Sequence, residues 1–97
     1  MKGTPANALR KACKAKGIAP SKLAMHLNVP GNRITDIIGK GRRITLDTAI
    51  RLGLYFGDGT RRWAELQLEA DLASAETAKM TRQLRSEVYI PKEAAAA

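Results

Sequence analysis

Asn32, Arg33 and Thr35 stand within four positions, and Lys40, Arg42 and Arg43 follow within one loop's length. These side chains suit one chemistry, the reading of nucleic acid. An Asn amide matches N6 and N7 of adenine, and an Arg fork matches O6 and N7 of guanine. Thr35 carries a methyl group that suits a thymine methyl and a hydroxyl that suits a phosphate. Lysines and arginines on a short loop neutralise phosphates and release counterions. No catalytic arrangement competes. The chain has one cysteine, Cys13, and one histidine, His26, so neither a disulfide framework nor a Cys/His zinc site is expected. There is no credible triad, paired carboxylate site or phosphate-binding loop, so neither an enzyme activity nor a cofactor is expected.

Groove-reading side chains need a helix to carry them, and Ser21 to Gly41 supplies the pattern of a helix-turn-helix. Ala24 gives the first helix the small inner residue that lets a second helix pack close. Asn28 is the residue type, after glycine, that best tolerates a left-handed turn. Val29, Ile34 and Ile37 return at helical spacing to hold the second helix. Gly31, Asn32, Arg33 and Thr35 are then left facing outward, with Arg33 the leading candidate to read a base. Ser21 and Lys22 stand where the first helix of the pair would meet a phosphate. The plain alternative is a helical hairpin with a solvated polar face, in which Ser21 only caps its helix and Lys40, Arg42 and Arg43 only solvate a loop.

Charge placement favours nucleic acid. The 97 residues carry a formal net charge of +8. Residues 1–57 hold 11 Lys/Arg against 2 Asp/Glu, and residues 58–97 hold 6 against 7. A basic half joined to a neutral half points to a polyanion on one face and another contact elsewhere. No long apolar run or signal-peptide pattern is present, so a soluble cytoplasmic protein without membrane contact is expected.

The remaining spacing predicts an all-α fold of five main helices. The first has Thr4 as N-cap, Pro5 in its first turn and Gly17 at its end. The second runs from near Ser21 to Leu27. The third runs from about Pro30 to Ile38 and is broken by Gly39 and Gly41. The fourth follows Thr45 and buries Leu46, Ala49, Ile50, Gly53 and Leu54. The fifth runs from near Thr60 to about Ala75. It has two apolar stripes, Trp63, Leu66 and Ala70 on one, Leu68 and Leu72 on the other. That is more than one small core needs, so Trp63, Leu66, Leu68 and Leu72 are candidates for a homodimer seam. Arg51 is expected to pair with Asp36 or Asp47. Residues 1–75 are read as the DNA-binding domain and 76–97 as a partly disordered extension. The middle of that extension either prolongs the fifth helix or forms a sixth. Val88–Ile90 is a candidate short strand, and Ala94–Ala97 are expected to lack order.

Taken together, GNRITDIIGKGRRITLDTAIRLGLYFG (residues 31–57), Trp63 to Gln67 and the pair Asp71–Leu72 resemble HigA-type antitoxins of the XRE (Cro/CI-like) helix-turn-helix superfamily. The resemblance covers Leu23 to Leu72. It implies a five-helix, lambda-repressor-like repressor that dimerises, binds a palindromic operator and restrains a RelE-like mRNA-cleaving toxin. The first helix departs from the family pattern in being basic, and Ala70 stands where the family tends to have Tyr. A stand-alone XRE regulator without a toxin is the alternative. A module whose basic helices bind an acidic protein is a third reading.

Overall fold

The computed structural model describes residues 3–92. Six helices follow in order: α1 Pro5–Lys16, α2 Pro20–Leu27, α3 Arg33–Lys40, α4 Leu46–Phe56, α5 Thr60–Ala73 and α6 Ala75–Arg85. No strand occurs among the described residues, and none of their helices is long and apolar enough to cross a membrane.

Helix starts follow local chemistry. Thr4 and Thr45 accept hydrogen bonds from the amides of Asn7 and Thr48, capping α1 and α4. The ends of α1, α3 and α4 lie at Gly17, Gly41 and Gly57, each with left-handed φ. Asn28 ends α2 at φ 59° and ψ 48°, the only non-glycine residue with positive φ among the described residues.

Several sequence expectations are corrected. The helices number six. Ser74 separates α5 from α6 in extended conformation and caps α6 by accepting from the Thr77 amide, so the helical path breaks at one residue. α2 starts at Pro20, with Ala19 as a cap that has no side-chain bond, so Ser21 lies inside the helix. α3 starts at Arg33: Pro30 to Asn32 form a turn closed by the Arg33 amide on the Pro30 carbonyl at 2.9 Å. Gly39 stays within α3, and Gly41 ends it. Val88–Ile90 is no strand, because the Val88 amide bonds back to the Leu84 carbonyl at 3.0 Å and no neighbouring strand is there to pair. Ala94–Ala97 lie outside the described residues.

The core joins Leu9 and Cys13 of α1, Leu23, Ala24 and Leu27 of α2, Ile34 and Ile37 of α3, Ile44, Ala49 and Leu52, and Trp63 and Leu66 of α5. Large side chains buried this fully each stabilise the fold by about 1.5–3 kcal/mol. At α4 the expectation is half right. Ala49 and Gly53 are buried, with Leu52 and Thr48 beside them. Leu46, Ile50 and Leu54 are exposed, at 66%, 42% and 79%. They recur every fourth residue and form a second stripe on the outer side of the helix. The inner side is fixed by Gly53, where a Cβ would collide with the carbonyl of Gly59. Only glycine lets the start of α5 approach this closely.

α6 rests against α5 and buries none of its residues. It lengthens the molecule to 52 Å against 24 Å in both other directions.

Candidate nucleic-acid interface

α2 and α3 pack as consecutive helices around the left-handed turn at Asn28, with α4 behind α2 and α1 behind α3. The turn is held from behind. The Arg51 guanidinium donates to the Leu27 carbonyl at 2.8 Å and to Asp47 at 2.8 Å, so α4 grips the end of α2. Of the two partners expected for Arg51, the structure uses Asp47. This hydrogen bond holds the Asp47 carboxyl below the ordinary carboxylate range.

Gly31, Asn32 and Thr35 are exposed at the start of α3. Thr35 donates to the Asn32 carbonyl at 3.1 Å, and the Asn32 amide nitrogen donates to Asp36 at 3.2 Å. Asp36 also faces Lys40 at 3.8 Å and Arg42 at 3.9 Å. One carboxylate thus gathers the amide and both cations along the same edge. Ser21 and Lys22 are exposed in the first turn of α2. Their backbone amides precede the first intrahelical bond, made by Leu23, and Ala19 offers them no side-chain cap. Uncapped amides at a helix start attract an anion.

Arg33 and Arg43 point elsewhere. Arg33 is half-buried, donates to the Thr48 hydroxyl at 3.3 Å, and has a buried Nε with no partner among the described residues. Arg43 makes a two-pronged bond to Asp71 at 2.9 and 2.8 Å. Asp71 also accepts from Gln67, whose own oxygen takes the Ile44 amide at 2.7 Å. Bonds from Arg43 first, then from Gln67, hold the Asp71 carboxyl below its ordinary range. This set fastens the loop after α3 onto α5.

The structure therefore brings Ser21, Lys22, Gly31, Asn32, Thr35, Lys40 and Arg42 to the exposed surface of α2, α3 and their loops. It turns Arg33 toward α4 and Arg43 toward α5. Among the candidate seam residues, Leu68 and Leu72 are exposed at 53% and 62%, while Trp63 and Leu66 lie in the core. Sequence reasoning missed Thr48 and Gln67 as partners, and it missed the outer stripe of α4. The repeat of Leu46, Ile50 and Leu54 at every fourth position was the available signal for that stripe.

No family model matches the chain. The Pseudomonas aeruginosa antitoxin HigA, solved with the higBA promoter, is 34% identical, with a TM-score of 0.77 over 92% of this chain and 97% of that one. A second Pseudomonas aeruginosa protein, solved with its 18-base-pair operator DNA, is 33% identical, with a TM-score of 0.75 over 94% and 98%. Virulence-associated protein I of Dichelobacter nodosus is 40% identical over 68 residues, 70% of this chain. The matched region spans 63% of that relative's length.

Proposed function

The chain belongs to the HigA-type antitoxins of the XRE helix-turn-helix superfamily, and on that premise we propose that it represses transcription by binding a palindromic operator as a homodimer. The observation that carries this reading is the pairing of two features on the packed, consecutive helices α2 and α3. The amides that start α2 have no cap, and the start of α3 presents Asn32 and Thr35 to solvent. A phosphate at the first feature brings the second to base edges in the major groove. Both Pseudomonas aeruginosa neighbours were solved with promoter or operator DNA, which supports the same assignment.

Asn32 and Thr35 read bases, while Ser21, Lys22, Lys40 and Arg42 hold phosphates. Arg33 reaches a base only by leaving Thr48. Its unpartnered Nε lowers the cost of leaving, because a buried donor without an acceptor is unfavourable where it stands. Arg43 stays with Asp71 and sets the loop. The second role of the chain is to hold a RelE-like mRNA-cleaving toxin, in keeping with the family.

Binding of the chain to its own promoter tests the repressor role. A retarded complex that survives excess unrelated DNA is the expected result, and equal competition by unrelated DNA would count against it. Co-expression with the reading frame beside it tests the toxin role, with a stable complex and rescued growth expected.

A further inference from the structure

A second surface lies away from the helix-turn-helix. α1, the end of α4 and α5 enclose a groove of about 460 Å³ to which neither α2 nor α3 contributes. Ala12, Ala15, Phe56 and Trp63 make it apolar. Lys11, Lys16 and Arg62 stand around it. Its one carboxylate, Asp58, is already engaged, accepting from the Trp63 indole at 2.8 Å and facing Arg62 at 3.7 Å.

The cations are in excess of what the fold uses. α1 contains Arg10, Lys11, Lys14 and Lys16 and no acidic residue. Lys14 and Lys16 favour the negative end of the helix dipole, and Arg10 reaches the Ile38 carbonyl at 3.5 Å. Neither account covers Lys11, which has no acidic partner among the described residues. Arg62 lies over the Trp63 ring as well as beside Asp58, and Lys16 lies over Tyr55, yet three cations still face one carboxylate. An apolar hollow with this excess of positive charge is complementary to a partner with the opposite charge and an apolar anchor. It is less suited to nucleic acid. A phosphate backbone gains nothing over alanines, and Trp63 is fully buried, so it offers no face on which a base could stack.

We propose that this groove docks an acidic amphipathic segment of a partner protein. The segment seats an apolar side chain over Ala12, Ala15 and Phe56 and sets carboxylates against Lys11, Lys16 and Arg62. The proposal stands whether or not that partner is a nuclease, and it does not depend on operator binding.

The test uses the full chain, isotopically labelled, at about 0.15 M salt so that weak surface attraction is screened. The probe is a short synthetic helical peptide with glutamates on one face and leucines on the other. Saturable shifts are expected at Ala8, Lys11, Ala12, Ala15, Phe56 and the Trp63 indole. The double variant Lys11→Glu with Lys16→Glu should weaken binding about tenfold or more. Ala15→Leu, which fills the groove without changing charge, should weaken it too, as should a peptide with its leucines replaced by serine. A single-stranded oligothymidine should shift α2 and α3 and leave the groove unmoved. Peptide shifts on α2 and α3, oligothymidine shifts in the groove, or no saturable peptide shift would each overturn the proposal.

Discussion

Arg33 and Arg43 are chemically alike, and their positions along the chain assigned both to DNA, Arg33 to a base and Arg43 to a phosphate. Their surroundings do. Arg33 rests on a hydroxyl fifteen residues away, and Arg43 on a carboxylate twenty-eight residues away. Neither partner is visible in local spacing, which is why both arginines read as DNA contacts from sequence. The exposure of Thr35 on α3 and of Asn32 just before it needs only position along the chain, and that was legible. The two arginines should respond differently to truncation. Arg33→Ala is expected to lose sequence preference along with affinity, about 1–3 kcal/mol per lost base contact, as measured by binding to operator variants. If all sequences weaken alike, Arg33 orients α3 through Thr48 and reads no base. Asp71 and Asp47 give a pH signature at the same scale. Their carboxyls are lowered in the folded chain, chiefly by bonds from Arg43 and Arg51, so the unfolded chain binds more protons in the acid range. Their stabilising effect is full above the ordinary carboxylate range and is lost as pH falls through the lowered values. Asp71→Asn should flatten the acid side of a stability-against-pH curve measured by denaturant unfolding. An unchanged acid limb would mean that the Arg43 pair contributes nothing in solution.

At the scale of elements, periodicity located five helices, left the sixth open, and could not say which of two apolar stripes faces inward. On α4, Leu46, Ile50 and Leu54 look as fit for a core as Ala49 and Leu52. The choice is made by Gly53, whose missing side chain admits the start of α5 on its own side of the helix. The start of α3 escaped sequence reading for a similar reason. Pro30 fits the first turn of a helix by residue type, yet its carbonyl closes a turn onto Arg33 instead. Asn28 was legible because few other residue types accept its conformation. The α4–α5 contact gives the prediction at this scale. Gly53→Ala should cost about 1–3 kcal/mol through overpacking against the Gly59 backbone. In a domain of this size that lowers Tm by roughly 4–8 °C per kcal/mol, read from a thermal melt. A variant as stable as the parent would show that α4 and α5 can part at no cost, and the outward placement of Leu46, Ile50 and Leu54 would lose its physical cause.

The whole molecule carries more apolar surface than one protomer covers. Leu46 of α4 and Leu68 of α5 line one depression, so the outer stripes of the two helices run together. Ile50, Leu54 and Leu72 are exposed on the same two helices, and Met80 and Leu84 are exposed on α6. A helix of eleven residues with nothing buried is marginal in water, so α6 needs a surface to lie on. In the homodimer we propose, a second copy supplies one, and symmetry turns each exposed stripe into both ligand and receptor. The operator asks for the same arrangement, since one helix-turn-helix reads few base pairs and a two-fold dimer places two recognition helices about 34 Å apart. Leu68→Glu and Leu84→Glu should each give a folded monomer in sedimentation, with operator affinity sharply reduced. The proposed parent dimer, touching about 6–10 phosphates, should lose roughly 10³–10⁵ in affinity between 50 and 200 mM salt. A monomeric variant should show a salt slope about half as steep, because it engages one half-site's phosphates. If the parent chain sediments as a monomer at tens of micromolar, both alone and on its operator, the seam has been wrongly placed and α6 must be covered by something other than a second copy.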